Sequence, residues 1–234
     1  MRVAPIPREA LVTRGTINLV MTKEELKQWF ENARDTLEPG YLVNGEPWKQ
    51  SGMSGSEERW ICLRKPVADC IDRSGSFLDI GCANGYLLEC CQKWNSLRNI
   101  ILEPYGIDIS PKLVELAKCR LPQYKDNFLV RNAFDWIPPK RFDFVRTELV
   151  YVPAKYEKQY IEFLLDNYIN PDGKLLVANY VEDHPHPENT ILSGSHPTKN
   201  ILSRLAELGF KATEYKDGFD TVKNRKTRVA VLTR

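Results

Sequence analysis

Apolar side chains recur every three or four residues through the segment TKEELKQWFENARDTL. Leu26, Trp29, Phe30, Ala33 and Leu37 fall on one face there, which predicts an amphipathic helix. Thr22 and Glu25 stand at capping-box spacing at its start. The period then fails in EPGYLVNGEPWKQSGMSGS, a stretch of glycine, serine and aromatics that reads as a lid loop. Ser54 and Glu57 form a second capping-box pair ahead of a helix carrying Trp60, Leu63, Val67 and Ile71. Residues 1 to about 20 show no period and read as an arm.

From residue 76 short apolar runs alternate with helical periods. SFLDI, YGIDI, NFLVRNA, FDFVRTELV and KLLVANYV read as strands. YLLECCQKW, SPKLVELAKCRL, AKYEKQYIEFLLDNYI and TKNILSRLAELG read as helices, the last closed by Gly209. FKATEYK and TRVAVLTR are alternating segments that pair as a closing hairpin. The pattern predicts an α/β fold: a doubly wound, mostly parallel, seven-stranded sheet with a C-terminal antiparallel hairpin and an N-terminal helical lid. Residues 1–56 make the arm, helix and lid, and residues 57–234 the sheet domain.

Composition narrows the function classes. The 234 residues carry 33 Lys and Arg against 31 Asp and Glu, a formal charge of +2. The signs are mixed, so no electrostatic footprint for nucleic acid stands out. The cluster Lys223, Arg225, Lys226 and Arg228 reads as a solvated turn. Six cysteines form no C-x-x-C pair and lie away from the histidines, which argues against structural zinc and for a reducing, cytoplasmic setting. The N-terminal segment lacks a signal peptide's apolar core, and no run reaches the ~18 apolar residues of a membrane span. The expectation is a cytoplasmic monomer or homodimer.

The sharpest local signal is DIGCANG, residues 79–85, between two apolar segments. In such a sheet, ligands bind beyond the carboxyl ends of the strands, and glycines let them approach the backbone. The G-x-x-x-G spacing of Gly81 and Gly85 fits neither the dinucleotide fingerprint nor the P-loop. It resembles motif I of the class I S-adenosylmethionine-dependent methyltransferases, commonly D-x-G-C-G-x-G. Asp79, Gly81, Cys82, Ala83 and Gly85 match, with Ala83 in place of the middle glycine, a change tolerable if its φ stays negative.

The resemblance continues in order along the chain. YGIDIS places Asp108 and Ile109 where the family binds the ribose hydroxyls through an acid. VRNAFDW places Asn132, Ala133 and Phe134 by the adenine, with Asn132 where Asp is commoner. NPDG resembles the family's turn before its fifth strand. By resemblance Ser51 and Gly52 in the lid touch the methionine end of the cofactor, S-adenosyl-L-methionine, whose product is S-adenosylhomocysteine.

Methyl transfer from a sulfonium needs in-line position and desolvation first, and a general base only for a protonated acceptor. Glu148 and Tyr151 follow the fourth strand at the mouth of the sheet, Glu148 either as base or cofactor neighbour, or as an acid paired with Arg146. His184 is a further candidate base. His184, His186 and His196 share one loop, but His-Pro-His-Pro puts successive side chains on opposite faces, against joint metal ligation. Tyr41, Trp48, Gln50 and Met53 belong to the same lid, whose aromatics either wall an apolar or planar acceptor or simply pack. No N/D-P-P-Y segment follows strand four and no Pro-Cys pair occurs, which turns the reading from nucleic acid toward an O, N or C nucleophile of a small molecule. Protein or RNA methylation, a non-catalytic cofactor-binding subunit and a nicotinamide oxidoreductase are the alternatives, the last disfavoured by the glycine spacing.

Overall fold

The computed structural model describes residues 21–43, 45–52, 55–182 and 200–234. The elements are α1 (Lys23–Leu42), α2 (Glu57–Asp69), β1 (Gly75–Ile80), α3 (Tyr86–Ser96), β2 (Leu102–Asp108), α4 (Pro111–Arg120) and β3 (Phe128–Val130). They continue with β4 (Phe142–Thr147), α5 (Glu157–Tyr168), β5 (Ile169–Glu182), α6 (Ile201–Glu207), β6 (Glu214–Asp220) and β7 (Arg225–Leu232). The seven strands pair in the order β3-β2-β1-β4-β5-β7-β6. The first five run parallel, and β7 lies antiparallel to both β5 and β6. The predicted sheet and closing hairpin are therefore present. Strand order reverses between β1 and β4, which opens a crevice at their carboxyl ends.

Alternation along the central strands splits the core between the two faces of the sheet. Leu78, Val145, Leu175 and Ala230 pack with Ile161 and Leu164 of α5 and Leu205 of α6. Their neighbours Phe77, Phe144, Leu176 and Val231 pack with Trp60 and Val67 of α2 and Leu88 of α3. A parallel strand covered on both faces reads as a continuous apolar run, as these strands do.

Several boundaries differ from the sequence reading. Helix α1 continues through Pro39 to Leu42, where a loop is predicted from residue 38. A proline inside a helix removes one backbone bond. Here tertiary contacts hold the last turn: Ser110 Oγ donates to Glu38 at 2.5 Å and Lys112 Nζ at 2.7 Å. The N-cap of α2 is Ser56, whose side chain accepts from Arg59 N, while Ser54 lies outside the described residues. Strand β3 stops at Val130 and β4 at Thr147, short of the predicted ends. Asn170 to Gly173, the predicted turn before β5, is a register shift inside the strand between the pairs Phe142–Ile169 and Phe144–Lys174. Strand β6 starts only at Glu214, because Phe210 and Ala212 turn into the core.

Helix α2 is tied to the far edge of the sheet by a partly buried ion pair. Arg59 Nη2 lies 2.5 Å and Nε 2.9 Å from Asp220 Oδ2, and the other carboxylate oxygen accepts from Val222 N. The Arg59 guanidinium holds the Asp220 carboxyl below its usual range. A depressed folded pKa adds stability above the unfolded value of about 3.9 and loses it as pH falls through the folded value. Asp220→Asn should therefore lower the thermal midpoint at pH 7, with the gap to wild type closing on acidification toward pH 2. A gap that stays constant from pH 7 to 2 would contradict the assignment.

Candidate functional site

The turn after β1 is built from left-handed backbone: φ is +71° at Gly81, +47° at Ala83 and +74° at Gly85. Gly81 N and Cys82 N both donate to Ile107 O, at 2.8 and 3.1 Å, and Gly85 N donates to Cys82 O at 2.9 Å. A Cβ at Gly81 would stand 2.7 Å from the Tyr151 ring, so that position admits no side chain. Ala83 departs from the expectation that its φ would be negative. Its backbone N–H donates to Asp108 Oδ2 at 2.9 Å, and this bond holds the residue in a region that costs an L-residue about 1–3 kcal/mol.

Asp108 sits at the end of β2 with Oδ1 accepting from Ser110 N at 2.8 Å. Burial raises its carboxyl above the ordinary value, with the backbone donors opposing. Asn84, fully buried, accepts from Tyr86 N and donates to Pro47 O and Gln50 Oε1, joining the glycine turn to the segment after α1.

A cavity of about 350 Å³ opens above this turn. One face of α1 forms a wall of it, through Trp29, Phe30, Ala33, Arg34, Leu37, Glu38 and Tyr41. Gly81, Ala83, Asp108 and Ile109 form the floor, and Ala133, Glu148, Tyr151, Tyr160, Tyr180 and Arg64 close the remaining sides. A second cavity of about 680 Å³ adjoins it through Phe30, Arg34, Ile109 and Arg131, and includes Asn132, Phe134 and Asp135.

The polar side of the cavity is organised by Arg146, which is 3% exposed. Its Nη1 donates to Asp79 at 3.2 Å, to Ile80 O at 3.1 Å and to Tyr151 Oη at 2.7 Å. Its Nη2 donates to Glu148 Oε1 and, at 2.9 Å, to Tyr180 Oη. Tyr151 Oη in turn donates to Glu148 Oε1 at 2.7 Å. Burial pushes the Asp79 carboxyl up to about 7, with Arg146 pulling the other way. Burial also raises the Tyr151 hydroxyl well above its ordinary value, which keeps it a neutral donor. Glu148 Oε2 accepts no hydrogen bond among the described residues.

The expected site residues divide. Gly52, Gly81, Ala83, Asp108, Ile109, Ala133, Glu148 and Tyr151 line the cavity above the turn. Asn132 and Phe134 line the adjoining one, where Asn132 Oδ1 also accepts from Phe134 N at 3.0 Å. Asp79, Cys82, Gly85 and Ser51 line neither. Asp79 supports Arg146, Cys82 is buried behind the turn, Gly85 caps α3 against Ala117, and the Ser51 carbonyl accepts from Trp60 Nε1. Trp48 packs against the core cluster that contains Trp60 and does not line the cavity, and its Nε1 donates to Gly55 O. His184, His186, His196 and Met53 lie outside the described residues.

Arg64, Tyr160 and Tyr180 escape the sequence reading. For Arg64 a signal exists: it stands four residues after Trp60 and three before Val67, a place the helical period assigns to an apolar side chain. The apolar face of α1 expected from its period also forms a wall of the cavity.

Residues 55–213 match the methyltransferase-domain family, and the chain belongs to it. No curated protein sequence matches. Among solved structures it is similar to a SAM-dependent methyltransferase of Leishmania major, with a TM-score of 0.64 and 15% identity over 88% of this chain and 83% of that one. It is also similar to 1,6-didemethyltoxoflavin-N1-methyltransferase of Burkholderia thailandensis, solved with 1,6-didemethyltoxoflavin and S-adenosylhomocysteine (TM-score 0.62, 12% identity, 94% and 100% covered). A third likeness is to magnesium protoporphyrin IX methyltransferase of Synechocystis, with a TM-score of 0.55 and 15% identity over 94% and 100% of the chains. Among the described residues no helix is long and apolar enough to cross a membrane.

The left-handed turn yields a stability prediction. Ala83→Gly relieves the strain and adds chain entropy to the unfolded state, so it should stabilise by about 1 kcal/mol, read as a rise in urea midpoint. Gly81→Ala should lower it, because a methyl group there meets the Tyr151 ring. Equal midpoints for the two variants would refute the backbone geometry described.

Proposed function

We propose that the protein is an S-adenosylmethionine-dependent methyltransferase acting on an O, N or C nucleophile of a small molecule. The observation that carries the reading is Asp108, a carboxylate lining the same cavity as the left-handed turn of Gly81 and Ala83. The donor set fits the cofactor: a carboxylate for the ribose hydroxyls, a side-chain-free backbone at Gly81, and apolar surface from Ile109 and Ala133 with Asn132 and Phe134 adjoining for the adenine. S-adenosylmethionine supplies, when bound, a methyl group on a sulfonium that needs no activation by the protein.

The chain's own residues then position and desolvate. Trp29, Phe30 and Tyr160 exclude water and offer flat surface to a planar acceptor. Glu148 is the proposed base, its Oε1 fixed by Arg146 and Tyr151 while Oε2 stays free to accept a proton. Tyr151 is proposed to orient Glu148 rather than to take the proton itself, since burial keeps its phenol neutral. His184 is a further proposed base, tested by its own substitution. The likeness to enzymes named for 1,6-didemethyltoxoflavin and magnesium protoporphyrin IX supports a small-molecule acceptor, and the six free cysteines support a cytoplasmic setting.

S-adenosylhomocysteine at 100 times its dissociation constant should stabilise the fold by about 2.7 kcal/mol, a rise of roughly 5–10 °C in thermal midpoint. Asp108→Ala should abolish the rise without preventing folding. A rise with NADH but not with the adenosyl compounds would move the protein to another class.

Glu148→Gln should keep S-adenosylhomocysteine affinity within about threefold. It should lower turnover of a hydroxyl or protonated amine acceptor by about 10²–10⁴, followed as homocysteine release after coupled hydrolysis across an acceptor panel. Unchanged turnover would remove Glu148 as base.

A further inference from the structure

Asn132 opens a tight turn just after β3. Its side-chain oxygen accepts from Phe134 N at 3.0 Å, and its backbone carbonyl accepts from Trp136 N, also at 3.0 Å. The first of these bonds fixes which way the amide lies. Turned over, its NH2 would meet the Phe134 N–H, two donors face to face. The oxygen therefore faces back onto the loop. Nδ2 is the polar atom left to the adjoining cavity, and it has no partner among the described residues.

An aspartate, the commoner residue at this station of the family, would keep the same turn with one oxygen and offer the second as an acceptor. Asparagine reverses the hydrogen-bonding sense of that outward group. The surroundings do not reverse it back. Ile109, Ala133 and Phe134 give apolar surface that suits the ring of any purine, and Arg34 and Arg131, at the junction of the two cavities, are donors. Asp135 lines the same cavity, but it is exposed, so water competes for its carboxylate.

The edge of the base decides what this polarity selects. Adenine carries an amino donor at C6 beside an acceptor at ring N1. A 6-oxopurine carries a carbonyl acceptor at C6 beside a ring N–H. A site that accepts from the amino group rejects the oxo base, because the swap leaves its acceptor facing another acceptor. A donor at residue 132 finds an acceptor on either base, at N1 of adenine or at O6 of hypoxanthine.

We propose that Asn132 makes the base subsite unselective, so that the cavity takes 6-oxopurine nucleosides, S-inosylhomocysteine among them, as readily as adenine ones. The proposal rests on the S-adenosylmethionine reading above and goes beyond it in the class of base that is admitted. Asn132 is its specificity-determining residue.

The test is calorimetric titration of the full chain with S-adenosylhomocysteine and with S-inosylhomocysteine. Wild type should bind the two within about fivefold of each other, the span of one neutral hydrogen bond. Asn132→Asp keeps the acceptor for Phe134 N and should create a preference for the adenosyl compound of about 10- to 100-fold, as expected for a bond to a charged group. Asp135→Asn should leave the wild-type ratio unchanged. A larger wild-type preference for the adenosyl compound overturns the proposal, and its loss in Asp135→Asn would assign the reading of the amine to Asp135. Equal affinities that Asn132→Asp leaves equal overturn it as well, since residue 132 then does not set the selectivity. Should Asn132→Asp fail to fold, the wild-type ratio decides alone. If wild type binds neither compound nor 5′-methylthioadenosine, the cofactor reading itself fails. Tight binding of the adenosyl compounds with rejection of S-inosylhomocysteine leaves that reading standing and removes only the unselective base subsite.

Discussion

The architecture of the site depends on keeping one cation buried. Arg146 stands near the end of β4, almost wholly out of water, and its charge has to be matched from β1, from the turn after β4 and from β5. Asp79, Glu148, Tyr151 and Tyr180 do so, and the carboxyl ends of three adjacent strands are thereby locked in mutual register. Removing one partner of such a buried set typically costs 3–5 kcal/mol, because it strands the charge rather than merely losing a contact. Tyr151 couples the set to the glycine turn through steric exclusion: its ring occupies the space that any side chain at residue 81 would need. Stability and ligand access thus share the same atoms.

Much of this arrangement is legible in the sequence, for physical reasons that differ between elements. The central strands alternate apolar residues without interruption because both faces are covered, and the closing hairpin alternates visibly. The Gly81 to Gly85 turn is readable because few residue types satisfy a left-handed backbone, and Asp108 because it is the acid that ends an apolar strand beside that turn. What the sequence hides is which of two faces a partly apolar helix presents to a cavity rather than to the core. The stripe of Trp29, Phe30, Ala33 and Leu37 satisfies the same periodicity in either role. Helix α1 also overruns its predicted end, because the contacts of Glu38 with Ser110 and Lys112 are separated from it by more than 70 residues and leave no local trace.

Motif position and cavity lining also separate. Asp79 and Cys82 belong to the motif I match, but their side chains face Arg146 and the interior behind the turn. The motif at those positions records the support of a loop rather than its surface. Arg64 shows the converse: no motif includes it, yet a charge set into an apolar stripe is a local anomaly with a tertiary cause.

The cavity wall supplied by α1 is contiguous in sequence, whereas the floor is assembled from the ends of several strands. These two surfaces are under separate control. Changes on one helical face, at Trp29, Phe30, Ala33 or Leu37, can reshape the opening without disturbing Asp108, the glycine turn or the Arg146 network. Diversification of this protein's chemistry can therefore proceed by exchange of a single short segment over an unchanged frame. The segment least constrained by the sheet is the one with most influence over what enters.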